Sequence, residues 1–217
     1  MAASVTLGGA LLGDRSWSRR LLLIGAGAGL IAASAQVSVP LGFTPVPLTG
    51  QTFAVLLSGA VMGWRRGFLS QMAYLAEGAA GLPVFADGAG SAVHLVGPSA
   101  GYLWCFPLAA ALVGFLVEKG VARSFWRLAG ALVSADVLIL VAGSTWLRLL
   151  FRIPFAQAWV LGFYPFLIAD VVKVVLVGGS LPRVLKRFEA RPRSPVHPRA
   201  PQESELVDGG FPKIVDR

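Results

Sequence analysis

The segment Gly162–Val175, GFYPFLIADVVKVV, places an aspartate and a lysine inside what otherwise reads as a membrane-spanning helix. Asp170 and Lys173 are three positions apart, so on a helix they share a face and can touch. A charge at the centre of a bilayer costs about 2.5–3.5 kcal/mol on insertion scales, so such a pair is by default a functional feature. The bland alternative is that the two residues only neutralise each other as a structural pair.

Outward from this segment, the chain supports the membrane setting. It is 55% hydrophobic and only 14% charged, too little polar surface to cover a water-soluble globule of 217 residues. The net charge of +8 does not point to nucleic acid, because the basic residues fall in short clusters between apolar runs and in the C-terminal tail. Cys105 is the single cysteine and lies in an apolar run, which excludes an internal disulfide and any cysteine-based zinc or iron–sulfur site.

The apolar runs predict an all-α membrane protein with six transmembrane helices, at 21–38, 51–63, 67–82, 99–117, 128–147 and 155–181. Residues 1–20 read as a flexible cytoplasmic leader, 21–185 as the membrane domain, and 186–217 as a disordered basic and polar cytoplasmic tail. A signal peptide competes for the first run, since Ala33-Ser34-Ala35 after Leu21–Ile31 imitates a cleavage site. Against cleavage, the apolar character continues uncharged to Arg65, and Gly25, Ala28, Gly29 and Ala32 form small-xxx-small pairs suited to close helix packing. The second and third runs, separated by Trp64-Arg65-Arg66, are too short to cross comfortably, as in transporters that build a site inside the membrane.

Sidedness follows from the cations. Three lie at the N-terminus, two at Arg65 and Arg66, three at Lys119, Arg123 and Arg127, and eight from Arg183 onward. Only Arg148 and Arg152 lie opposite, so both termini are expected in the cytoplasm. The irregular Pro/Gly-rich loops 39–50 and 82–98, which contain no lysine or arginine, then face outward. The first is apolar, which suits a lid folded over the protein rather than a loop in water. Asp170, about 15 residues into the last run, lies roughly 22 Å along its helix, and Asp136 about 12 Å along its own, so the two could approach near mid-membrane.

Four motifs, in order, then resemble one family: Thr44-Pro-Val-Pro-Leu-Thr-Gly-Gln-Thr-Phe-Ala-Val-Leu, Gly81-Leu-Pro-Val-Phe-Ala, Gly97-Pro-Ser-Ala-Gly-Tyr-Leu-Trp-Cys-Phe-Pro-Leu-Ala-Ala, and Pro165-Phe-Leu with Asp170 and Lys173. They resemble BioY, the biotin-binding membrane subunits of energy-coupling-factor (ECF) vitamin transporters. The resemblance implies a multi-pass protein of the cell (inner) membrane that captures biotin from the exterior with high affinity, with biotin as transported substrate and no cofactor. It implies membrane lipid as the setting, with a transmembrane coupling protein and two ABC-type ATPases as partners, and no nucleic acid. It also implies that the small-residue face of the first helix, with Ala28 and Ala32, meets the coupling partner. No G-x-x-x-x-G-K-[ST] occurs in the chain, so ATP is expected to be used by another subunit and the chain is not expected to be an enzyme. Two departures from the family pattern are Ile168-Ala169 where Pro-Gly is usual and Ser99-Ala100 where Thr-Gly is usual.

Biotin carries a ureido ring with two N–H donors and a carbonyl acceptor, an apolar thiophane and a valerate carboxylate. Asp170 can accept from the ureido N–H groups, while Lys173 can donate either to the ureido carbonyl or to the valerate. Tyr102, Phe43, Phe85 and Trp104 are candidates for the apolar wall, and Gln51, Thr49, Ser99 and His94 for polar contacts. Asp136, Glu77 and His94 are candidates for supporting positions behind the first contacts. The alternatives are a subunit for another vitamin, such as riboflavin or thiamine, or a proton-coupled carrier protonated at Asp170. An intramembrane enzyme using Asp136 and Asp170 as a catalytic pair lacks any companion motif.

Overall fold

The computed structural model describes residues 17–167 together with Asp170 and Gly179, so Lys173, residues 1–16 of the expected leader and the whole expected tail, 186–217, lie outside the described residues, while 17–20 belong to the first helix. The chain is all-α, with helices α1 (Trp17–Ala35), α2 (Gln51–Met62), α3 (Trp64–Ala79), α4 (Ala100–Glu118), α5 (Phe125–Phe151) and α6 (Phe155–Gly162). α4 and α5 are long and apolar enough to cross a bilayer. The outer surface carries exposed Leu22, Leu108, Phe115, Trp126, Val133 and Leu149, an apolar exterior suited to lipid rather than water.

α4 is the central element, packed on α2, α3 and α5; α1 leans on α3 and α2, and α6 on α5. Glycine makes the central contacts close. A Cβ on Gly59 of α2 would run into the Ala110 backbone of α4, and one on Gly114 of α4 into the backbone of Trp64.

Several boundaries differ from the sequence expectation. α1 stops at Ala35 instead of Ser38, because Ser38–Val39 pairs antiparallel with Leu48–Thr49, giving loop 39–50 a two-stranded ladder (Ser38 opposite Thr49, Val39 opposite Leu48). β-branched Val37 and Val39 followed by Pro40 favour extended backbone there. Arg65 and Arg66 do not form a linker either: Gly63 alone, at φ 82°, turns the chain from α2 into α3, and both arginines sit in the first turn of α3. Cations are unfavourable at a helix N-terminus, and a distant carboxylate offsets them: Glu118 Oε1 accepts from the Trp64 N–H at 3.1 Å. That bond brings the α2–α3 turn beside the α4–α5 turn, so Arg65, Arg66, Lys119 and Arg123 collect at one end of the bundle.

Loops 39–50 and 82–98 gather at the opposite end. The Gln36 side chain donates to Phe85 O at 3.2 Å and accepts from the Gly88 N–H at 3.1 Å, tying the end of α1 to the second loop. The indoles of Trp104 and Trp146 donate to Leu95 O and Gly97 O, at 2.9 and 2.8 Å, and hold that loop to α4 and α5. Val46 is buried, so the apolar loop does fold back over the protein.

Candidate functional site

Beneath those two loops lies a cavity of about 390 Å³, within the range of small-molecule sites, roughly 300–1,000 Å³. Its roof comes from Pro45, Val46 and Pro47 of the first loop and from Phe85, Ala86, Asp87, Ala89, His94 and Pro98 of the second. Its walls are Thr49, Gln51 and Thr52 at the start of α2, Ser99, Tyr102, Leu103 and Phe106 of α4, Leu140 of α5, and Phe166 and Asp170 beyond α6. Of the sequence candidates, the fold brings Asp170, Gln51, Phe85, Ser99, Tyr102 and His94 together on this wall, with Thr49.

The wall is held by its own hydrogen bonds. Thr52 Oγ1 donates to Asp170 Oδ1 at 3.2 Å, linking α2 to the chain beyond α6. Gln51, 6% exposed, has both ends of its amide engaged: Oε1 accepts from Thr49 Oγ1 at 3.0 Å, and Nε2 donates to Tyr74 OH. Its orientation is therefore fixed before any ligand arrives, and one N–H remains for a ligand acceptor. The Tyr74 ring meets Phe85 edge-on at 5.5 Å, and Phe85 in turn packs against His94 at 5.7 Å. Phe85 can enter because Gly78 has no side chain; a Cβ there would overlap the ring.

Tyr102 is set still more tightly. Its ring fills the space a Cβ on Gly143 would take, and its hydroxyl donates to Gly162 O at 2.7 Å. Phe166 closes the next side at 5.9 Å. In the roof, Asp87 adopts left-handed backbone (φ 57°), which aspartate tolerates better than most residues, next to Gly88 at φ 69°.

Other candidates lie elsewhere. Phe43 is 60% exposed and off the cavity wall; the ladder leaves it on the outside of its loop while Val46 turns in. Trp104 is 50% exposed and also off the wall, since two residues along a helix from Tyr102 is a turn of about 200°. Its indole secures the loop instead. Asp136 is buried in α5 but does not line the cavity, so it and Asp170 do not share a wall, and half-buried Glu77 of α3 is likewise off it. Ala28 is fully buried and Ala32 packs on the core, so this pair faces the protein's own α2 and α3; Gly25 and Gly29 face outward. Lys173 lies outside the described residues.

Sequence reasoning missed Thr52, Asp87, Phe106, Leu140 and Phe166 as wall residues. Thr52 follows Gln51 in the quoted motif, and Asp87-Gly88 is a common turn signal. The other three are apolar residues in apolar runs and carry no local signal. Chemically, the site offers a carboxylate, an oriented amide, hydroxyls and several aromatic rings. That set suits a compact, partly apolar ligand with N–H donors.

Comparison with known proteins shows the fold and the family. The crystal structure at 2.1 Å of the S-component for biotin from an ECF-type ABC transporter has the same fold, with a TM-score of 0.74 at 24% identity, covering 81% of this chain and 95% of that one. A biotin transporter BioY from Thermotoga maritima is 40% identical over 172 residues, 79% of this chain and 98% of its own length. A probable biotin transporter BioY from Pyrococcus horikoshii is 38% identical over 156 residues, 72% of this chain and 90% of its own length. The BioY family model matches residues 3–190, which span the whole bundle and its cavity: the chain is a member of the BioY family.

Proposed function

We propose that the chain captures biotin in the cavity beneath loops 39–50 and 82–98 and works as the substrate-binding subunit of an ATP-driven vitamin transporter in the cell membrane. The observation that carries this reading is the Asp170 carboxylate, buried at 2% exposure in an aromatic-walled cavity that also holds the oriented amide of Gln51. Asp170 accepts from the ureido N–H groups, the spare Gln51 N–H is within the donor set for the ureido carbonyl, and the thiophane lies among Phe85, Tyr102, Phe106 and Phe166. Lys173 supplies a cation for the ureido carbonyl or the valerate.

The end bearing Arg65, Arg66, Lys119 and Arg123 is cytoplasmic, which turns the cavity to the exterior and leaves both termini inside. Coupling to a transmembrane partner and two ABC-type ATPases follows from the family reading. The outward Gly25–Gly29 face of α1 is a better candidate for that contact than Ala28, which is already occupied within the bundle.

Equilibrium binding of labelled biotin by the purified chain tests the proposal. Asp170→Asn and Lys173→Ala are expected to abolish binding while the protein still inserts and purifies. Binding that survives both would remove the site assignment.

A further inference from the structure

Pro165 sits within the helical path beyond α6, and proline both removes an N–H and clashes with the preceding turn. The regular helix breaks at Phe163, where Phe166 N and Leu167 N both donate to Phe163 O at 3.2 Å. The Gly162 carbonyl thus loses the partner that an unbroken helix would give it through Phe166 N. The Tyr102 hydroxyl, from α4 and sixty residues away, takes that place at 2.7 Å. Two glycines make the contact possible: Gly143 opens a slot for the ring, and a Cβ on Gly162 would meet the hydroxyl.

We infer that Tyr102 is a positioning residue for biotin binding: its hydroxyl anchors the break at Gly162–Pro165 and thereby sets where Asp170, eight residues on, meets the ligand. This rests on the proposed role of Asp170. Thr52 holds the Asp170 carboxylate from α2, and Tyr102 holds the chain leading to it from α4, so the acid is located from two sides of the cavity. An anchor is needed because a broken helix, unlike a regular one, leaves its second half without a fixed direction.

The test is a double-mutant cycle on biotin affinity. Tyr102→Phe keeps the ring and removes one oxygen, leaving a buried carbonyl unpaired; the expected loss of affinity is about ten-fold. Pro165→Ala restores an N–H and lets the helix run on, so that Phe166 N can reach Gly162 O. In the Pro165→Ala background, Tyr102→Phe is then expected to cost less than about two-fold, because the carbonyl no longer depends on the hydroxyl.

Equal losses in both backgrounds would overturn the inference, since they mean the hydroxyl acts on biotin directly. No loss from Tyr102→Phe alone would also overturn it. If Tyr102→Phe does not purify as a monodisperse protein, Gly143→Ala, which crowds the ring, enters the cycle with the same expected pattern. Full binding by Asp170→Asn would mark failure of the proposed site, whereas loss in Asp170→Asn with an additive cycle would mark failure of the Tyr102 role alone.

Discussion

Gln36 closes the roof of the cavity, and removing its side chain measures what that closure is worth. The amide donates to Phe85 O at 3.2 Å and to Ala32 O at 3.1 Å, and accepts from Gly88 N at 3.1 Å. The Ala32 bond stays within α1 and orients the side chain, while the other two cross to the loop that carries Phe85 and Asp87. In Gln36→Ala both crossing bonds go. They lie near the surface, so each is set at the low end of the net hydrogen-bond range, about 0.5 kcal/mol, or about 1 kcal/mol together. That shifts the balance between closed and open roof by about five-fold. Among variants of one site the change falls mainly in the dissociation rate. Purified protein loaded with labelled biotin and chased with unlabelled biotin is therefore expected to release label about five times faster, with little change in thermal unfolding. A release rate within two-fold of the parent would refute the role of Gln36 as a clasp. Slower capture at an unchanged release rate would refute the claim that the clasp acts on the bound state.

Two further substitutions test the packing that shapes the site. Gly78→Ala gains up to about 1 kcal/mol of helix propensity in α3 but drives a methyl into the Phe85 ring, so biotin affinity is expected to fall while the protein still inserts; unchanged affinity would show that Phe85 has room to move. Glu118→Ala removes the acceptor at the N-terminus of α3 beside Arg65 and Arg66, and a thermal melt in detergent is expected to show a loss of about 0.5–1 kcal/mol, reduced at high salt.

Much of this molecule can be read from its residues in order. Each of the six apolar runs overlaps one of the six α-helices among the described residues, because an apolar run in lipid must satisfy its backbone polar groups internally and a helix does so locally. The prolines and glycines of 39–50 and 82–98 place the irregular backbone at one end, and the cation clusters mark the other. The Asp170 carboxylate stands out as a buried charge in an apolar run, and it does line the cavity.

What the residues in order do not contain is direction and distant partnership. Tyr102 and Trp104 are both aromatic and two apart, yet one points into the cavity and the other outward, and which does so depends on where α5 and the second loop pack against α4. Ala28 and Gly29 are neighbouring small residues of which only one is buried, a choice made by α2 and α3. Val46 enters the roof and Phe43 does not, because the pairing of Ser38–Val39 with Leu48–Thr49 sets the loop's twist. The bonds that fix the site join Gln36 to Gly88, Thr52 to Asp170 and Tyr102 to Gly162, and each spans more than fifty residues. Local sequence thus determined that GFYPFLIADVVKVV carries an acid within an apolar run, read there as one unbroken helix, whereas the regular helix stops at Gly162. Only the packed bundle decided what surrounds that acid, because a hydrogen bond between distant residues exists only once their helices have been brought side by side.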